Sequence, residues 1–359
     1  MRENKVKRVL RQGGVALGTM VFEFNTTIPI RSDTMEILKR IALVLLFAGW
    51  VSVAPSKAQQ AQATRPALPP PDVQNASYGP HERNVLDLWK AHSAQPTPLV
   101  LFIHGGGFRN GDKTNLDPKI LKSYLDAGFS VAAINYRFTT TAPAPAAYLD
   151  CGRALQFLRL HAKEWNLDSS LVASTGGSAG AGTSLWLAFH DDLAQPQSPD
   201  PVARQSTRLT CVAVDNGQSS YDPRFAEKIG LPRPNFERHE FFLPFYDIKA
   251  EEIDTPRAYK RYEEFAPITY LSRDDPPALL SYNFPNEEVG PNTPLGVILH
   301  HPKFGLALKE RMDALGIECA VQFQGQVQPQ VSAVDFIRKH FETARRSSRQ
   351  DARTRGNTR

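Results

Sequence analysis

Little in this chain is built for cross-linking or for holding a metal. Its 359 residues include three cysteines, Cys151, Cys211 and Cys319. That is too few for a disulfide framework, and each sits in an apolar helix-like or strand-like run, which reads as a buried free thiol. No Cys/His spacing suits zinc, and nothing suggests an organic cofactor. No apolar run reaches the ~18 residues that a membrane-spanning helix needs, and there are no internal repeats. A basic body able to bind nucleic acid is lacking too. The net charge is +5, but six Arg fall in 344–359 and eight Lys/Arg in 1–40, so the stretch 77–343 is mildly acidic.

What is there begins with a targeting pattern. Lys39-Arg40 precede the apolar run Ile41 to Trp50, and Ser56-Lys57-Ala58 has the small-x-small form of a cleavage site. Charge, short apolar core and cleavage site in that order predict a secretory signal over 35–58, with Met35 as the true start and 1–34 as an over-extended N-terminus. The mature protein is then expected to be secreted or periplasmic, without a stable membrane anchor. The Ala/Gln/Pro-rich segment 59–76 reads as a linker, and the basic tail 344–359 as disordered.

Between them, 77–343 alternates strands and helices, which predicts an α/β fold with a mostly parallel central sheet and helices on both faces. Strands are expected at Asn84–Trp89, Leu99–Ile103, Ser130–Tyr136, Leu171–Ala173, Thr210–Val214, Pro277–Tyr282 and Cys319–Phe323. Helices are expected at Ala146–Trp165, Ala179–His190, Lys303–Leu315 and Val331–Phe341, the third stopping at Gly316. About 217–268 lacks clean periodicity but holds Phe236, Phe241, Phe242, Phe245 and Tyr246. It reads either as a lid or cap over the sheet or as a peripheral excursion with its own small core.

Two motifs carry chemistry. Gly176-Gly177-Ser178-Ala179-Gly180 follows an apolar strand and opens a small-residue helix, which is the form of a nucleophile elbow. Upstream, Leu99–Ile103 runs into His104-Gly105-Gly106-Gly107-Phe108, a strand ending in a loop that lends backbone N–H groups to an oxyanion. Either motif alone is weak; both in this order are not.

With Gly111-Asp112-Lys113 and Ile134-Asn135-Tyr136-Arg137 beside them, these residues make the chain resemble an α/β-hydrolase, of the hormone-sensitive-lipase-like and feruloyl-esterase-like carboxylesterases. The likeness covers roughly 78–343. It implies Ser178 as nucleophile and the N–H groups of Gly106, Gly107 and Ala179 as oxyanion hole. His104 would brace the loop rather than transfer protons. The implied partner is a small-molecule ester.

The pattern breaks at the base. The order in this fold is Ser, Asp or Glu, then His. The register puts Asn286 at the acid and Gln328 at the imidazole, and a Gln is no base. Glu287 or Glu288 is the expected substitute acid. His300-His301-Pro302, just before a helix, supplies the expected base, His301 ahead of His300. The expectation is a secreted serine ester hydrolase with catalytic residues Ser178, Glu287 and His301. The alternative is a non-catalytic binding protein of the same fold.

Overall fold

The computed structural model describes residues 16–17, 20–21, 67–234, 242–327 and 330–356. The expected signal segment 35–58 and the loop position Gln328 lie outside the described residues. So does most of the expected N-terminal extension, where Ala16–Leu17 and Met20–Val21 form a short antiparallel pair. Residues 66–359 form a separate compact unit.

That unit is laid out along one sheet of eight strands. In chain order they are β1 Val73–Ser77, β2 Val85–Trp89, β3 Thr97–Ile103, β4 Ser130–Ile134, β5 Leu167–Gly177, β6 Cys211–Asp215, β7 Ala278–Tyr282 and β8 Cys319–Phe323. In space they run β8-β7-β6-β5-β3-β4-β2-β1. β2 is antiparallel to both its neighbours, and the other pairings are parallel.

The main helices are α1 Pro118–Asp126, α2 Ala146–Leu160, α3 Ala179–Phe189, α4 Pro223–Lys228, α5 Phe242–Tyr246, α6 Pro256–Glu264, α7 Leu295–Leu299, α8 Lys303–Leu315 and α9 Ala333–Gly356. Their ends follow local chemistry. Pro118 starts α1 while the Asp117 carboxylate accepts the Lys119 N–H. Gly316 ends α8 with a left-handed φ of 76°.

Central strands buried on both faces read as continuous apolar runs, because side chains alternate between two cores. On β3, Leu99, Leu101 and Ile103 join a core with Leu155 of α2 and Leu185 of α3. Val100 turns the other way, to a core with Leu121 of α1 and Phe336, Ile337 and Phe341 of α9. Helices on both faces are therefore what the strand pattern requires.

Three expectations need correction. The domain starts before residue 77. Within the expected linker, β1 pairs with β2, the Trp89 indole donates to the Pro69 carbonyl at 2.8 Å, and Asp72 accepts the Lys90 N–H at 2.7 Å. The tail is not a disordered end through 344–356, because α9 continues to Gly356. Hydroxyls of Ser347 and Ser348 return to the Thr343 and Ala344 carbonyls, and Arg345 lies 3.8 Å from Asp168. The segment 217–268, of which 235–241 with Phe236 and Phe241 lie outside the described residues, is no excursion with a core wholly its own: Phe242, Phe245, Tyr246, Tyr262 and Phe265 belong to the main core, with Phe108 and Tyr148, and Ala226 and Leu231 share a small cluster with Ile298 and Phe304.

Candidate active site

β5 delivers Ser178. Ser178 sits between strand and helix with φ 54° and ψ −119°, a conformation that L-residues rarely adopt. Two bonds hold it there: its N–H donates to the Asp215 carbonyl at the end of β6 at 3.0 Å, and its carbonyl accepts from Gly182 at 2.9 Å. The motif glycines have a steric cause. A Cβ on Gly176 or Gly180 would run into the Ile103 carbonyl, so β3 and α3 meet at the elbow at backbone distance.

The Gly loop lies across this elbow. A Cβ on Gly105 would meet the Gly177 carbonyl at 2.6 Å and Ser178 Cβ at 3.5 Å. Gly106 and Gly107 have φ of 109° and 58°. The Gly106 carbonyl accepts the N–H groups of Arg109 and Asn110, both at 3.1 Å, which closes the turn. Ala179 is the first residue of α3, where a main-chain N–H has no partner within the helix. The structure thus sets Gly105 against Ser178, with Gly106 and Gly107 next in the loop and Ala179 directly after the serine.

Phe108 follows with φ 58°, strained for an aromatic residue. It is held because Phe245, Tyr148 and Tyr221 pack its ring at 4.7, 5.8 and 6.0 Å. Through Phe245, α5 of the insertion therefore buttresses the Gly loop.

His104 braces the loop from beneath. Its Nδ1–H donates to the Gly105 carbonyl at 2.7 Å, and its Nε2 accepts from Arg83 Nη2 at 3.3 Å. The ring stacks on Tyr136 at 4.3 Å, whose hydroxyl donates to the His104 carbonyl at 2.8 Å. Burial pushes its pKa down to about 4, against the pull of the Gly105 carbonyl. The imidazole is neutral at pH 7 and both nitrogens are used.

The His pair separates into two roles. His300 Nε2 lies 2.8 Å from Ser178 Oγ. Burial holds the ring's pKa below the ordinary imidazole value, with the Gly296 carbonyl pulling the other way. Phe284 stacks alongside, centroid 6.3 Å away at 12°.

His301 is fully buried and turned elsewhere. Its Nδ1 accepts the Lys303 N–H at 3.2 Å, and its Nε2–H donates to the Glu287 carbonyl at 2.8 Å. With both nitrogens committed it ties down the turn into α8, whose N-cap is Pro302, so it is His300 and not the expected His301 that lies on Ser178.

The acid is corrected as well. Glu287 is exposed, and its contact with the pair is a main-chain one to His301. Asn286 lines an outer groove with Phe225, Lys303 and Glu310. Among the described residues no carboxylate is hydrogen-bonded to the His300 ring, and the group that pulls its pKa up is the Gly296 carbonyl.

A parallel sheet with an elbow after β5, a Gly loop after β3 and an imidazole on the elbow serine decides the fold. This chain has the α/β-hydrolase fold. The BD-FAE family model matches residues 86–216, from β2 to just past β6. The chain is 26% identical over 212 residues to the esterase LipQ of Mycobacterium tuberculosis, covering 56% of this chain and 45% of that one. It is 25% identical over 223 residues to the carboxylesterase NlhH of the same organism, covering 60% and 68%. Thus the chain spans less than half of the length of LipQ. In structure it is similar to a truncated carbohydrate esterase from gut microbiota, with TM-score 0.60 at 20% identity over 75% of this chain and 96% of the other.

Proposed function

We propose that this α/β-hydrolase cleaves carboxylic esters of small molecules through an acyl-enzyme at Ser178, with His300 as the base. The observation that carries the reading is the 2.8 Å contact of His300 Nε2 with Ser178 Oγ, within reach for proton transfer. Oγ attacks the ester carbonyl carbon while its proton passes to Nε2. The N–H groups of Gly106, Gly107 and Ala179 stabilise the oxyanion. The carbon–oxygen bond to the alcohol then breaks, and the alcohol leaves with the proton from Nε2. Water repeats the sequence on the acyl-serine, giving its proton to His300, and the acid departs.

The Gly296 carbonyl does part of what a triad carboxylate does. With Nε2 toward Ser178, Nδ1–H is the proton this carbonyl would accept, which would fix the tautomer that leaves Nε2 free to take a proton; the wrong tautomer is the costly failure when a triad acid is replaced by an amide. It does not neutralise the imidazolium that forms. The reading as a non-catalytic binding protein rested on the empty base position after β8, and a base reaching Ser178 from the turn after α7 removes that ground.

The direct test is hydrolysis of p-nitrophenyl acetate and labelling by a fluorophosphonate. Ser178→Ala should lower the rate on the order of 10⁴-fold or more and abolish labelling. No turnover on esters of any chain length, together with no labelling of the wild type, would sink the enzyme reading.

The pH profile gives a second check. The base must be neutral to act, and burial lowers the His300 pKa below 6.5. The acidic limb of kcat/KM should therefore lie below pH 6.5, with activity flat through neutrality. A limb above 7 would mean another group is titrating.

Secretion is part of the same proposal, on the strength of Lys39-Arg40, the apolar run 41–50 and Ser56-Lys57-Ala58. A mature N-terminus beginning near Gln59 in the culture fluid or periplasm would support it; intact chain in the cytosol would count against it.

A further inference from the structure

Catalysis by a serine and a histidine 122 positions apart depends on what holds them in register. The segment leaving β6 touches both. The Asp215 carbonyl accepts the Ser178 N–H at 3.0 Å. Three residues on, Gln218 Nε2 donates to the Leu299 carbonyl at 2.7 Å. That carbonyl can only accept, so the amide nitrogen is the atom that faces it.

The bond acts on a sensitive place. The Leu299 carbonyl and the His300 N–H belong to one rigid peptide plane. Gln218 holds one end of that plane, and the Gly296 carbonyl holds the other, accepting the His300 N–H at 3.2 Å. The flanking residues anchor the strap itself. The Gly217 carbonyl accepts the Tyr282 hydroxyl at 2.7 Å, and the Ser219 hydroxyl donates to the Phe304 carbonyl at 2.9 Å. The plane that carries the base is thus tied to the segment that carries the nucleophile's backbone partner.

Stability alone does not explain a glutamine here. Gln218 is 2% exposed, and its Oε1 is buried with no hydrogen-bond partner among the described residues. A buried acceptor without a donor costs stability that an apolar side chain of the same length would not. Departures from local consistency of this kind concentrate at functional sites.

We propose that Gln218 is a positioning residue for His300, setting the distance of the imidazole from Ser178 through the Leu299–His300 peptide. This rests on the reading of His300 as base. A displacement of about 1 Å at a reacting group costs on the order of a hundredfold, so the effect belongs in kcat rather than in substrate binding.

The experiment is Gln218→Met in the full chain, which keeps length and removes the donor. On p-nitrophenyl acetate, kcat should fall about tenfold to a hundredfold, with KM within about twofold of wild type. Fluorophosphonate labelling should slow by the same factor. Melting temperature should stay about level, because the variant removes one unpaired acceptor, Oε1, while leaving the Leu299 carbonyl without its donor, and a merely structural role would move it down. Gln218→Leu should behave alike.

Unchanged kcat in a folded variant would overturn the proposal, and so would a rise in KM alone. Unfolding of both variants would overturn it too, by making Gln218 a structural residue. The two readings fail separately. A wild type that neither turns over nor labels removes the base assignment itself; an active wild type, an inactive His300→Ala and a fully active Gln218→Met remove only the role of Gln218.

Discussion

His300→Ala should lower kcat/KM for a short-chain p-nitrophenyl ester by about 10²–10⁴-fold, the usual worth of a positioned general base. His301→Ala should leave most of the activity but lower stability by roughly 1–3 kcal/mol, the cost of unpaired buried polar groups. The opposition follows from which atoms each ring has free. His300 points Nε2 at Ser178 Oγ, and its main-chain N–H donates to the Gly296 carbonyl. His301 spends one nitrogen on the Lys303 N–H and the other on the Glu287 carbonyl. A further substitution sharpens the contrast: in His301→Asn the amide oxygen can accept the Lys303 N–H in place of Nδ1, so part of the lost stability should return. Kinetics with p-nitrophenyl acetate and thermal melts on the three variants check this. Loss of activity in His301→Ala with full activity in His300→Ala would reverse the assignment.

How far the site was legible depended on the range of the interaction. The elbow and Gly loop are local: strand, turn and helix are consecutive, and steric limits at Gly176 and Gly180 write themselves into five residues. The strands were readable for the same reason, since burial on both faces of β3 leaves an unbroken apolar run. Of the base, the pair His300-His301 was readable and the choice between its two members was not. It depends on where a five-residue helix, α7, sets the chain down relative to a serine 122 positions earlier, and no periodicity records that. Expecting the acid after β7 led to Glu287, yet the group that pulls on the His300 ring is a main-chain carbonyl four residues back on its own turn. That solution needs no special side chain, so it leaves no trace in the sequence. The opposite case is Gly111-Asp112-Lys113 with Ile134-Asn135-Tyr136-Arg137. Those residues carry the family likeness, but their purpose appears only when the two segments meet.

That meeting supports the second large effect: Asp87→Ala should destabilise the protein by about 3–5 kcal/mol, the cost of leaving one member of a buried ion pair alone. Lys113 Nζ lies 2.6 Å from Asp87 Oδ2, with side-chain exposures of 8% and 6%. The other Asp87 oxygen accepts the Asn75 N–H at 2.8 Å, tying β1 to the same point. The Lys113 N–H donates to Asn135 Oδ1 at 2.6 Å, and Asn135 Nδ2 donates to Asp112 Oδ2 at 2.7 Å. The network lies just beyond the Gly loop in the chain, where Gly111 passes so close to the His104 ring that a Cβ would not fit. Losing Asp87 strands an ammonium group in the segment that follows the Gly loop, so, on the proposed role of Gly106 and Gly107, activity should fall along with stability. Asp87→Leu combined with Lys113→Met should recover most of the stability, because a buried pair replaced by packed apolar groups is often neutral or better. The double variant keeps the Lys113 main-chain N–H on Asn135, so its loop should stay in place and esterase activity should return with the fold. Urea melts and p-nitrophenyl acetate kinetics on the single and double variants measure both. Restored stability without restored activity would show that the charge at Lys113, and not its backbone, is what the Gly loop needs.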